Sequence, residues 1–145
     1  MRATHARRAA AVAAAALAVP FLAACGSTVQ QFEAGQCLDM SDATGGQVSE
    51  IPEVDCEDEH TGEVYLVHTF DGDEFPGQTE VGTELETACA DAFEGYVGTD
   101  YASSQYMVQL LTPTQETWDE ADDRDGICIL STSSPTTGSA EGSAS

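Results

Sequence analysis

The chain has 145 residues, of which twenty-six are aspartate or glutamate and four are arginine or lysine, for a formal charge of −22 at pH 7. A surface of that sign repels nucleic-acid phosphates and anionic lipid headgroups, which excludes a nucleic-acid-binding role. The length suits one small folded domain, and five cysteines bound its chemistry further.

Arg2, Arg7 and Arg8 precede an uncharged, alanine-rich run over residues 9–24, the basic and apolar parts of a secretory signal peptide. The run is shorter than the roughly 20 apolar residues that span a bilayer. Its end, Leu22-Ala23-Ala24-Cys25, resembles the lipobox of bacterial lipoproteins. That resemblance implies cleavage before Cys25, lipid on its sulfur, and a place on the outer, extracytoplasmic face of the cell membrane. Loss of residues 1–24 removes three of the four basic residues and no acid, leaving Arg124 as the one cation against twenty-six carboxylates. Residues 25–31 then read as a lipidated tether and residues 32–130 as the folded domain.

Once Cys25 is assigned to lipid, Cys37, Cys56, Cys89 and Cys128 remain, an even number in a chain exported to an oxidising compartment. Four cysteines permit three pairings, and sequence alone does not choose among them. The favoured pairing joins Cys37 to Cys56 around the Gly-rich stretch 41–47 and Cys89 to Cys128 between a predicted helix and a predicted strand. A zinc site built on Cys56 and His60 is the rival, but the paired short spacings of zinc ribbons and fingers are missing.

A further strand is expected around residues 48–54, interrupted by Pro52. Residues 63–70 are rich in β-branched and aromatic side chains and predict a strand, with Val64, Leu66 and Phe70 on one face and His68 on its inner side. Asp71-Gly72-Asp73 predicts a turn, which Phe75-Pro76-Gly77 prolongs. Over residues 79–97 the apolar residues Val81, Leu85, Ala88, Ala92, Phe93 and Tyr96 recur at three- and four-residue spacing, the pattern of an amphipathic helix. A capping box from Thr83 and Glu86 would begin the regular part, and Gly98 would end it. Residues 106–111 predict a strand closed by Pro113. Residues 114–120 predict a helical turn capped by Thr114 that carries Trp118 to the core, and residues 127–130 a short apolar strand. Residues 131–145, rich in Ser, Thr and Gly, hold one charge and no large apolar side chain, and read as a disordered tail. The fold class is α+β: a small antiparallel sheet covered by one amphipathic helix and stapled by two disulfides.

Four residues stand out as candidates for function. His60 and Glu63 would serve an envelope hydrolase as an acid/base pair, but no nucleophile or metal set stands at a telling spacing beside them. A structural role for His60, bonding backbone beside a disulfide, is the simpler reading. Arg124 lies among Asp119, Glu120, Asp122, Asp123 and Asp125, so an ion pair is expected. An EF-hand fails on the same segment, because Ala121 falls at the first ligand position and Thr132 at the closing glutamate. Trp118 with Tyr101 and Tyr106 would line a sugar or peptide groove, although core packing explains a lone tryptophan more simply.

Taken in order, Gly35-Gln36-Cys37-Leu38, Val54-Asp55-Cys56, His60, Glu63-Val64, Phe75-Pro76-Gly77, Cys89, Phe93 and Tyr96-Val97-Gly98 resemble the septum formation domain of actinobacterial envelope proteins. Pro113-Thr114, Trp118, Arg124, Cys128 and Leu130 continue the resemblance, which covers residues 35–130. A glycine usual between the tryptophan and the arginine is replaced by Ala121-Asp122-Asp123. The resemblance implies a place outside the membrane and a link to cell division, and brings no catalytic residues or cofactor. The expectation is a non-catalytic binding or scaffolding module that is anchored through Cys25 and meets an envelope or division protein. A hydrolase using His60 and Glu63, and an acidic cation-buffering lipoprotein, are the alternatives.

Overall fold

The computed structural model describes residues 29–41 and 50–145. The signal segment, Cys25, and nearly all of the Gly-rich stretch 41–47 lie outside them. Among the described residues no helix is long and apolar enough to cross a membrane.

The elements run β1 (Cys37–Leu38), β2 (Glu53–Val54), β3 (His60–Thr69), α1 (Gln78–Val97), β4 (Met107–Leu111), α2 (Gln115–Ala121) and β5 (Asp125–Thr136), with a 3-10 turn at Tyr101–Ser103. The five strands form one antiparallel sheet in the order β2-β1-β3-β5-β4. The expected α+β class holds, with β3 and β5 at the centre and β4 on one edge.

Each face of the sheet carries its own core. On one, α1 lays down Val81, Leu85, Cys89, Phe93 and Val97, a stripe at fourfold spacing that packs on Tyr65, Phe70, Trp118, Cys128 and Leu130. On the other, Leu38, Met40 and Ile51 cover Val64, Ile127 and Ile129. A β-bulge divides these cores. Between Val64 and Leu66, β3 advances two residues while β5 advances one, from Ile129 to Cys128. The extra residue turns Tyr65 and Leu66 both toward α1 and sends Val64 to the opposite core. The expectation that Val64 shares a face with Leu66 and Phe70 is thereby corrected, because strict alternation assumes an unbroken ladder.

Both favoured disulfides are present. Cys37–Cys56 ties β1 to the loop before β3, and Cys89–Cys128 ties α1 to β5. Each restricts the unfolded chain by roughly 2–4 kcal/mol.

The helix begins earlier than the capping box implied. Glu80 and Val81 donate to the Gly77 carbonyl, and Gly77 takes φ 111°, a conformation suited to glycine. Thr83 lies inside the helix, where its hydroxyl donates to the Thr79 carbonyl. Gly98 ends α1 in the left-handed conformation, as expected. Thr114 caps α2 in a reciprocal box with Thr117, and Trp118 is buried. Asp122 takes the left-handed position after α2 (φ 53°). Aspartate tolerates that conformation better than most residues, so the turn survives without the family's glycine.

The largest correction concerns the C-terminus. Residues 131–145 are part of the fold: β5 runs to Thr136, and Ala140 is buried. The Gly138 amide donates to the Cys56 carbonyl, and those of Gly142 and Ala144 donate to Tyr96 and Val97 at the end of α1. Backbone hydrogen bonds order this segment, and a reading based on apolar side chains misses them. Gln30, assigned to the tether, also belongs to the fold, exchanging two side-chain hydrogen bonds with the Ile51 backbone.

Candidate functional site

β3 opens with His60 and places Glu63 three residues further on, next to Cys37 of β1. The donor atoms of Cys37, His60 and Glu63 all lie within 4.8 Å of one another. The structure therefore does bring together the two residues that sequence singled out as a pair.

Both side chains hold hydrogen bonds within the fold. His60 is buried, and its Nδ1 lies 2.9 Å from the Asp58 carbonyl. A carbonyl only accepts, so Nδ1 carries the hydrogen. This is the backbone bond beside a disulfide that the simpler reading anticipated. Glu63 is 3% exposed and its carboxylate accepts three hydrogen bonds: from the Tyr96 hydroxyl (2.7 Å), the Ser139 hydroxyl (2.6 Å) and the Ala140 amide (2.6 Å). The hollow beside the pair holds about 10 Å³, room for about one water molecule and too small for a substrate. The sulfurs of Cys37 and Cys56 are bonded to each other, so neither is the thiolate that zinc takes.

Burial, and after it the hydrogen bond to Glu63, hold the Tyr96 phenol well above its ordinary range. Tyr65 is raised as well, chiefly by burial and further by Tyr101. Sequence reasoning missed Tyr96 and Ser139 as partners of Glu63. Only the i+3 spacing of Phe93 and Tyr96 on α1 pointed at that corner.

Arg124 is held in a network of contacts. Its guanidinium lies 4.0 Å over the Trp118 ring, pairs with Asp122 at 3.0 Å, and donates to the carbonyls of Trp118 (2.9 Å) and Gly72 (3.3 Å). Trp118 is fully buried and donates through its indole N–H to the Asp73 carbonyl, so it lines no groove with Tyr101 and Tyr106. His68 faces α1 as expected, yet its ring is partly exposed, edge-on to Phe70 and 2.8 Å from the Glu84 carboxylate.

An open concavity lies elsewhere among the described residues. A groove of about 300 Å³ runs between α1 and β4, lined by Tyr65, Glu86, Phe93, Tyr101, Val108 and Leu110 among others. Tyr101 was singled out from the sequence, but with the wrong companions. Val108 and Leu110, alternate residues of one strand, were the available signal.

No curated protein and no solved structure matches the chain. Residues 30–145 match the family described as Septum formation, a span that takes in both disulfides, the Glu63 corner and the ordered C-terminus. This protein therefore belongs to the septum formation family.

Proposed function

We propose that this protein is a non-catalytic binding or scaffolding module of the cell envelope, linked to septum formation, held on the outer face of the membrane through lipid on Cys25. Its partner in this reading is an envelope or division protein. Family membership supports the link to septum formation, and Leu22-Ala23-Ala24-Cys25 supports the anchor. The observation that carries the non-catalytic reading is the commitment of Glu63: all three of its hydrogen bonds serve to hold the fold's own C-terminus and α1. A general acid or base needs a proton-transfer partner from solvent or substrate, and this carboxylate faces neither.

The test is the position in dividing cells of a fluorescent fusion joined through a flexible linker after Ser145. Enrichment at the septum is expected, together with loss of membrane retention in Cys25→Ser. An even distribution around the envelope would remove the division role, and retention of Cys25→Ser in the membrane would remove the lipid anchor.

A further inference from the structure

The edge strand β4 reads Met107-Val-Gln-Leu-Leu, with no charge and no proline, in a chain that has twenty-six carboxylates to place. Sheet edges are ordinarily blunted by charges, prolines or covering segments, because their free N–H and C=O groups pair with any strand that arrives. Among the described residues β4 pairs only with β5. The large apolar side chains most exposed among the described residues are Tyr101 (56%), Met107 (50%) and Leu110 (36%), and all three lie on this side of the molecule. Two of them, Tyr101 and Leu110, line the groove against α1. Val108 and Leu110 share the helix-facing side of β4, so a strand added outside β4 would turn alternate side chains into that groove.

Charge selects the occupant. Arg124 is the only lysine or arginine beyond residue 8, and it is occupied by Trp118 and Asp122. Glu86 stands on the groove wall, and Asp100 caps the 3-10 turn that carries Tyr101. A second copy of this chain would bring the same excess of carboxylates to the edge and be repelled, whereas a cationic segment would be drawn to it.

We propose that β4 and the groove beside α1 bind an extended, cationic segment of a partner protein by strand addition, its alternate apolar side chains filling the groove. This rests on the binding-module reading above and names the partner's chemistry.

The test titrates the full chain, disulfides formed, into a labelled alternating Lys-Val octapeptide, with amide hydrogen exchange of residues 107–111 as a second readout. Saturable binding with slowed exchange at β4 is expected. Affinity should be at least about tenfold weaker for the Glu-Val and Lys-Ser repeats, which lack the charge and the apolar groups respectively, and should fall with added salt. Leu110→Lys and Ala90→Trp, the latter on the α1 wall of the groove and both at exposed positions, should weaken Lys-Val binding about tenfold while leaving the melting temperature in place. Equal binding of the Lys-Ser peptide would reduce the effect to diffuse charge, and equal binding of the Glu-Val peptide would remove the electrostatic selection. Protection away from β4, indifference to both variants, or dimerisation of the free chain through β4 would also overturn the proposal. Failure of every peptide on folded protein sinks the groove alone. The binding-module reading fails separately, by an even envelope distribution of the fusion.

Discussion

The Ser139 hydroxyl donates a 2.6 Å hydrogen bond to the Glu63 carboxylate across 76 residues of chain, and the Ala140 amide donates another to the same carboxylate. With the Tyr96 hydroxyl, these bonds fasten the C-terminus to the junction of β3 and α1. Removing the acceptor would leave the buried Ala140 amide without a partner and deprive the less buried Tyr96 and Ser139 hydroxyls of theirs. Glu63→Ala should therefore cost about 1–3 kcal/mol and release residues 137–145 to proteases. Ser139→Ala should cost less, about 0.5–1.5 kcal/mol, since one bond is lost and the carboxylate keeps two. Amide exchange at Ala140 checks both, and unchanged protection in Glu63→Ala would refute the latch.

Asp122 sits in the left-handed conformation at the end of α2, with its carboxylate exposed and 3.0 Å from Arg124. Glycine adopts that backbone freely, while the ion pair it would forfeit is solvent-screened. Asp122→Gly is expected to shift stability by no more than about 0.5 kcal/mol. Asp122→Val, β-branched at positive φ, should lose about 1–2 kcal/mol. Urea denaturation of the two variants checks the contrast; equal losses would mean that the ion pair, and not the backbone, governs this turn.

Gly126 allows α1 to approach β5. A Cβ there would stand 2.8 Å from a Leu85 methyl carbon and 2.9 Å from the Phe70 ring, both in the core under the helix. Gly126→Ala is expected to destabilise by about 1–3 kcal/mol through overpacking. Pairing it with Leu85→Ala should recover part of that loss, a coupling that a double-mutant cycle in denaturant would read.

Tyr65 and Tyr96 both have phenols raised above the ordinary value near 10, Tyr65 mainly by burial and Tyr96 by burial and then by Glu63. In the unfolded chain they lose their protons near that pH, while in the folded chain they keep them to higher pH. The folded state thus holds more protons above pH about 10, and its stability falls as pH rises through that range. Thermal melts from pH 8 to 11 should show the decline, and the Tyr65→Phe/Tyr96→Phe double variant should show a shallower one. Parallel declines would assign the alkaline loss to other groups.

Much of this architecture was legible locally. The 3.6-residue spacing of Val81, Leu85 and Phe93 determines α1 because a helix returns every third or fourth side chain to one face, whatever the rest of the chain does. Four cysteines split between a loop and a helix–strand pair pointed to the two bridges that form. Trp118 and Arg124 were readable as core and ion pair from their immediate neighbours.

Long-range geometry decided the rest. β1 is two residues long, too short to carry a pattern, and exists because β3 offers it an edge; β2, the end of the strand expected around residues 48–54, pairs in turn with β1. The bulge at Tyr65 depends on β5 being its partner, and alternation along β3 alone points Val64 the wrong way. His60 and Glu63 attracted a catalytic reading because their types suit acid–base chemistry, whereas their burial and partners depend on Asp58, Tyr96 and Ser139 being folded around them. Residues 137–145 lack the apolar mass that marks order in a sequence, and are ordered by a carboxylate and by carbonyls contributed from elsewhere in the chain. Composition and periodicity determine where apolar groups recur, and only the assembled sheet determines which polar groups meet, because hydrogen-bond partners far apart in sequence leave no mark on one another.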